Sequence, residues 1–190
     1  MIDGYGIHGR SRDAIKLFYE MQQTGVKPDH ITFVSLLSAC SHCGLVNQGW
    51  QYFNSMVQDY CITPRAEHYT CMVDLLGHAG HLDEAQYFIE KMPLEPSVGV
   101  WGALLGGYRI HGNIELGERV AERLFDLDPM NSGRFVLLSN MYAAAVRWDG
   151  IVKVRAMIKD RQLKKTPGCS SIELNNMIHT FVVGDRSHPQ

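Results

Sequence analysis

The chain has 190 residues, of which 45% are hydrophobic and 20% charged, and a net charge of -2. That length and composition suit one ordinary domain or several small stacked units sharing a core, and they exclude a low-complexity or disordered chain. No apolar run approaches the roughly 20 residues that a membrane-spanning helix needs.

Charge is unevenly spread. Residues 1–146 hold 10 Lys/Arg against 16 Asp/Glu, whereas residues 147–190 hold 8 against 4. An acidic body argues against strong non-specific binding of nucleic acid, whose affinity comes mainly from neutralising phosphates, but leaves base reading by a few placed side chains open. The five cysteines are an odd number, which favours free thiols in a reducing compartment over a disulfide framework. Asp3, Asp13, Glu20 and Asp29 within the first 30 residues argue against a targeting peptide there.

In chain order, an apolar quartet at i, i+3, i+4 and i+7 recurs, the pattern of one helix face. The quartets are Ala14/Leu17/Phe18/Met21, Gly49/Tyr52/Phe53/Met56, Ala85/Phe88/Ile89/Met92 and Gly117/Val120/Ala121/Leu124. Their starts lie 35, 36 and 32 residues apart, and a fifth set, Ile151/Val154/Arg155/Ile158, follows after 34 more. Its Arg155 is expected to cover the seam with its aliphatic stem. Five residues before the first four quartets stand Gly9, Gly44, Gly80 and Gly112, with Val146 at the fifth place. Before each of these comes another apolar stretch, and a glycine at that point can adopt the left-handed conformation that turns the chain, so each unit reads as an antiparallel helical hairpin. Pro28, Pro64, Pro96 and Pro129 then punctuate the links between units.

A fixed period of this size predicts an all-α fold, an α-solenoid of stacked helical hairpins whose core runs through the stack. The end of the chain departs from it. Segments SIEL and MIHTFVV flank Asn175 and Asn176, a pair suited to a two-residue turn, which predicts a small C-terminal β-hairpin capping the last helices.

The stretch SACSHCGLV contains Cys40 and Cys43 at Cys-x-x-Cys spacing, with His42 between and His68 and Cys71 further on. In repeat register, however, Cys40 matches Tyr5 and Leu76, and Cys43 matches His8, Ala79 and His111. The same helix end forms elsewhere without thiols, so no metal site is expected there, nor at His78 and His81 across the next turn. A zinc-dependent base deaminase needs His-x-Glu followed by a downstream Cys-x-x-Cys. None of the nine histidines has Glu two places later. Phosphate-binding glycine loops and nucleophile elbows are also missing, so neither catalysis nor a cofactor is expected of this chain.

The stretches GYGIHGRSRDAIKLFYEMQQTGVKPD, SACSHCGLVNQG and MVDLLGHAGHLDEA closely resemble the pentatricopeptide repeat proteins of plant organelles. Their spacing is similar to that of the subclass with long and short repeat variants. In that register residues 1–29 are a repeat lacking its first six positions, 30–65 a long repeat and 66–97 a short one. Residues 98–131 and 132–167 resemble the paired, tetratricopeptide-like E motifs that follow such arrays. Residues 168–190 are similar to the segment leading into a DYW-type cytidine deaminase domain, with Ser171 where the family usually has tryptophan. The chain is accordingly expected to be part of a longer parent. The resemblance places that parent in the mitochondrion or chloroplast, with zinc entering only if a deaminase domain follows.

The resemblance further implies sequence-specific binding of single-stranded RNA, one base per repeat, as part of a C-to-U editing specificity factor. By register, the reading positions are Asp29 in the first repeat, Val34 and Arg65 in the second, and Thr70 and Ser97 in the third, with Ile31 and Glu67 at the wedge position between bases. Val34 with Arg65 offers no base-edge pairing, which suits a spacer. The E motifs imply contacts with other editing factors or a deaminase domain. Lys153, Arg155, Lys159, Arg161, Lys164 and Lys165 are candidates for that docking or for holding RNA backbone. A protein-interaction scaffold and a parent carrying its own deaminase are the alternatives; no membrane or small-molecule partner is expected.

Overall fold

The computed structural model describes residues 1–163, 168–174 and 176–183. Among these the chain forms α1 (Ile2–Ile7), α2 (Ser11–Gln23), α3 (His30–Cys43), α4 (Val46–Gln58), α5 (Ala66–His78), α6 (Leu82–Glu90), α7 (Val98–Ile110), α8 (Ile114–Leu127), α9 (Ser132–Ala144), α10 (Trp148–Asp160), β1 (Cys169–Leu174) and β2 (Met177–Val182). Consecutive helices pair as antiparallel hairpins. The first helices α1, α3, α5 and α7 pack side by side as one layer, with α2, α4, α6 and α8 outside it. The fifth hairpin joins differently, α9 resting mainly on α8 and α10. This is the α-solenoid expected from the period.

All five hairpin turns use one backbone device. Gly9, Gly44, Gly80 and Gly112 have φ of 69°, 66°, 83° and 68°, and Val146 adopts the same left-handed conformation at φ 58°. The residue after each donates its N–H back into the preceding helix: Arg10 to Tyr5, Leu45 to Cys40, His81 to Leu76, Asn113 to Tyr108 and Arg147 to Tyr142, each at 2.9 Å. That bond satisfies a carbonyl the helix end would otherwise leave unpaired. Entry into helices is capped by side chains in places: Asp29 Oδ1 accepts from Thr32 N at 2.8 Å, and Asn113 Oδ1 from Leu116 N at 3.2 Å.

The quartets supply the core. Every member of the second and fourth is buried, as are Ala14, Phe18, Ala85, Ile89, Ile151 and Val154. Met92 lies just past the end of α6 and is half-buried. Where Arg155 was expected to cover the seam, it is exposed. Among the described residues its helix packs on α9 and no further helix lies over it, while Met157 and Ile158 fill the partly buried positions instead.

First helices approach most closely where α5 meets α7. A Cβ built on Gly107 would stand 2.8 Å from Gly77 Cα. Only two facing glycines allow that interval.

The hairpin forms antiparallel with Leu174 opposite Met177, and Asn176 takes φ 61°. Asn175 lies outside the described residues. The expected capping role is not what the structure shows. Only His179 and Val182 are even half-buried, and the strands pack principally on each other. One face of the ribbon carries Ile172, Leu174, Met177 and Phe181, and these apolar side chains stay exposed rather than lying on the described helices.

Candidate nucleic-acid interface

The second and fifth residues of α3, α5 and α7 lie on the less buried side of each first helix. Ile31 is 61% exposed at the start of α3, and Val34 is half-buried one turn on. Their counterparts on α5 are Glu67, exposed, and Thr70, half-buried; on α7 they are Gly99, exposed, and Gly102, half-buried. An i, i+3 pair thus repeats on neighbouring helices, because both residues lie on one helix face.

Thr70 and Ser97 come together. A Cβ on Gly99 would stand 3.2 Å from Thr70 Oγ1 and 3.6 Å from Ser97 Oγ, so the two hydroxyls flank the bare backbone of Gly99. Thr70 donates its hydroxyl proton to Ala66 O at 2.8 Å, which leaves its oxygen as an acceptor. Ser97 is the N-cap residue of α7 but makes no side-chain capping bond, so its hydroxyl can donate or accept. Sequence reasoning missed Gly99. The signal was available, since Gly99 lies 32 residues after Glu67, at the wedge position of the register.

Asp29 and Arg65 occupy the matching helix-start positions before α3 and α5. The Asp29 carboxyl is held below its ordinary range, first by the Thr32 backbone N–H and then by the Thr32 hydroxyl. Capping therefore engages Oδ1. Arg65 is exposed, and its backbone N–H donates to His68 Nδ1 at 3.0 Å. With Nδ1 accepting, the proton sits on His68 Nε2, which donates to His30 O at 3.0 Å. His68 is fully buried, and burial lowers its pKa. It is a rivet between α3 and α5, fixing the interval between the Ile31/Val34 and Glu67/Thr70 pairs.

The helix-start positions are not dominated by cations: Asp29 and Glu67 are exposed there as well as Arg65. The cations on α10 do not form one patch. Lys153 Nζ lies 3.9 Å from Glu118 Oε1, and Arg161 lies over the Phe135 ring at 5.3 Å. Arg155 and Lys159 share the exposed stripe with Trp148 and Val152, while Lys164 and Lys165 lie outside the described residues. Cys40 is fully buried and burial pushes its thiol up to about 12. Cys43 Sγ points at Gly9 O, 3.6 Å away. The two thiols do not converge, and no group of three His, Cys, Asp or Glu side chains among the described residues is placed to hold a metal.

The sequence matches the model of the PPR repeat family over residues 1–42, that of the PPR repeat over 31–61 and 67–95, and that of the E motif over 111–173. The chain belongs to the pentatricopeptide repeat family. It is 50% identical over 190 residues to the chloroplastic pentatricopeptide repeat-containing protein DOT4 of Arabidopsis thaliana, covering all of this chain and 22% of that protein. A mitochondrial pentatricopeptide repeat-containing protein of the same plant is also 50% identical over 190 residues, with 31% of it covered. This pentatricopeptide repeat chain spans under a third of the length of these curated relatives. Its fold is similar to that of the maize pentatricopeptide repeat protein PPR10 in complex with an 18-nt psaJ RNA element, at TM-score 0.71 and 22% identity over 86% of this chain and 25% of that one. The repeat domain of Arabidopsis thaliana protein-only RNase P 1 in complex with tRNA has the same architecture, at TM-score 0.61 and 17% identity over 87% and 89% of the two chains.

Proposed function

We propose that this chain is part of an organellar RNA-editing specificity factor of the long-and-short repeat subclass, acting in the chloroplast or mitochondrion. Its repeats, partitioned as 1–29, 30–65 and 66–97, bind single-stranded RNA. The helical units 98–131 and 132–167 dock editing partners or a deaminase domain. The observation that carries the reading is the pairing of the Thr70 and Ser97 hydroxyls beside Gly99 on the exposed face of the first-helix layer. Two hydroxyls and an open backbone suit hydrogen bonding to a base edge rather than charge neutralisation.

The relatives named chloroplastic and mitochondrial support the compartment, and the RNA complexes of the structural neighbours support the ligand class. Deamination itself would be supplied by another domain or protein, because His-x-Glu is missing from this sequence. Few reading positions and an acidic surface give weak RNA binding by the chain alone. The test uses the full-length parent. Thr70→Ala is expected to reduce selectivity between target and mismatched RNA in a gel-shift assay while leaving the circular dichroism and melting point unchanged. Unaltered selectivity would refute the register, and tight sequence-selective binding by the 190-residue chain would refute the division of labour.

A further inference from the structure

Neighbouring second helices meet through side chains, and the fillings differ along the stack. Between α2 and α4, Phe18 packs edge-on against Tyr52 at 5.7 Å. Between α4 and α6, Trp50 and Phe53 pack edge-on against Phe88 at 5.1 and 5.5 Å, and Trp50 Nε1 donates to Glu84 at 3.0 Å. Between α6 and α8 the rings run out. In register the positions of Tyr52 and Phe53 pass to Phe88 and Ile89 and then to Val120 and Ala121. The place of Trp50 passes to Gln86 and then Glu118.

What remains is a groove of about 460 Å³, floored by Trp101 and Leu104 of α7 and walled by Ile89 and Val120. Its volume is that of a ligand pocket; Trp101 and Tyr108 of α7 line it, but its α6 and α8 walls lack the rings that close the two earlier junctions. Arg119 and Arg123, one turn apart on α8, stand exposed at its rim, and neither has an ion-pair partner among the described residues. The rim also carries Glu90, Glu122 and Asp126. Three carboxylates against two guanidiniums oppose a polyanion such as an RNA backbone more strongly than a segment that carries one carboxylate, which the arginine pair can hold.

We propose that the groove between α6 and α8 docks a protein segment that inserts one aromatic side chain over Trp101 and places a neighbouring carboxylate on Arg119 and Arg123. The ring supplies what the register removed, and the bidentate geometry of guanidinium supplies orientation. The proposal rests on the reading of the 98–131 unit as a protein-docking element and gives the chemistry of what it takes.

The test is selection of a displayed library of random 12-residue peptides against the 190-residue chain, followed by fluorescence anisotropy with the enriched peptides. The expected consensus is an aromatic residue within two positions of an acidic one. Arg123→Gln is expected to weaken those peptides at least tenfold. Val120→Phe, which restores a ring to the junction, is expected to abolish binding, with an unchanged circular dichroism spectrum checking its fold. Where Val120→Phe fails to fold, Arg119→Gln with Arg123→Gln carries the test, since both side chains are exposed. Enriched peptides without acidic or aromatic preference overturn the proposal. So do peptides indifferent to the groove variants, an outcome that keeps docking on this unit but moves it elsewhere. Displacement of the peptides by a single-stranded RNA 20-mer, itself weakened by Arg123→Gln, would assign the groove to RNA and overturn it as well.

Discussion

Gly106 and Gly107 are adjacent on α7, yet alanine is expected to stabilise the chain at the first and not at the second. Both substitutions relieve the same backbone penalty, since glycine inside a helix costs about 1 kcal/mol relative to alanine. At Gly106 a Cβ meets nothing within 4 Å, so Gly106→Ala gains that term whole. At Gly107 the new methyl would stand 2.8 Å from Gly77 Cα and 3.2 Å from Leu82 Cδ2. A backbone atom cannot step aside as a side-chain tip can, so α5 and α7 must separate. Overpacking of a closed core contact costs about 1–3 kcal/mol, which leaves Gly107→Ala between neutral and about 2 kcal/mol less stable than the parent chain. Because the propensity terms cancel, the difference between the two variants isolates the packing term. Urea denaturation followed by circular dichroism measures it, provided the slopes match, which checks that unfolding stays cooperative along the stack. For a chain of this size each kcal/mol moves the melting point by about 2–4 °C. Two variants that melt within about 1 °C of each other would refute the claim that the facing glycines set the interval.

Val146→Gly is expected to stabilise the chain by up to about 1 kcal/mol. A left-handed conformation costs a side-chain-bearing residue about 1–2 kcal/mol, only partly offset by glycine's greater freedom when unfolded. Val146 is 67% exposed and gives up little packing; a lowered urea midpoint would refute the prediction. His68 makes stability depend on pH. Burial lowers its folded pKa below the ordinary 6.5, so the unfolded chain binds the proton more readily in the interval between the two values. The contribution of His68 is full above 6.5 and falls as the pH drops from there toward the folded pKa, with a slope of at most about 1.4 kcal/mol per pH unit. His68→Asn is therefore expected to be the less stable protein at pH 7.5 and to flatten the decline toward pH 5.5. Parallel slopes for the two proteins in that range would show that His68 is not the titrating group.

The helices and their turns were legible because period and glycine placement are properties of the chain alone. The quartet spacing marks one buried face, and Gly9, Gly44, Gly80 and Gly112 stand where the backbone turns left-handed. Register put Val146 at the fifth turn, but its left-handed conformation was not legible in its residue type. The β-hairpin was legible in its turn but not in its docking, since nothing local says whether a ribbon has a helix to lie on. Arg155 failed for the same reason, as burial of an arginine stem depends on a neighbour in the stack. Within the candidate site, register placed Thr70 and Ser97 in one repeat, but not that Gly99 of the next helix would lie between them.

The groove between α6 and α8 follows from a division of labour between the two helix layers. The interval between hairpins is set in the first layer, by the His68 bridge from α5 to α3 and by the Gly77–Gly107 contact from α5 to α7. Second helices cannot collapse to fill a void while that layer holds them apart. Their side chains must span whatever gap remains, which Tyr52, Trp50, Phe53 and Phe88 do at the earlier junctions. At the next junction Val120 and Ala121 are too short to do so, and the gap persists as a 460 Å³ opening. The same logic ties the two sites together. A Gly107→Ala chain, with α5 and α7 pushed apart, is expected to loosen both the Thr70–Ser97 pairing on one layer and the peptide groove on the other, losing peptide affinity without any change at Arg119 or Arg123. Retained affinity in that variant would mean that the second layer sets its own spacing.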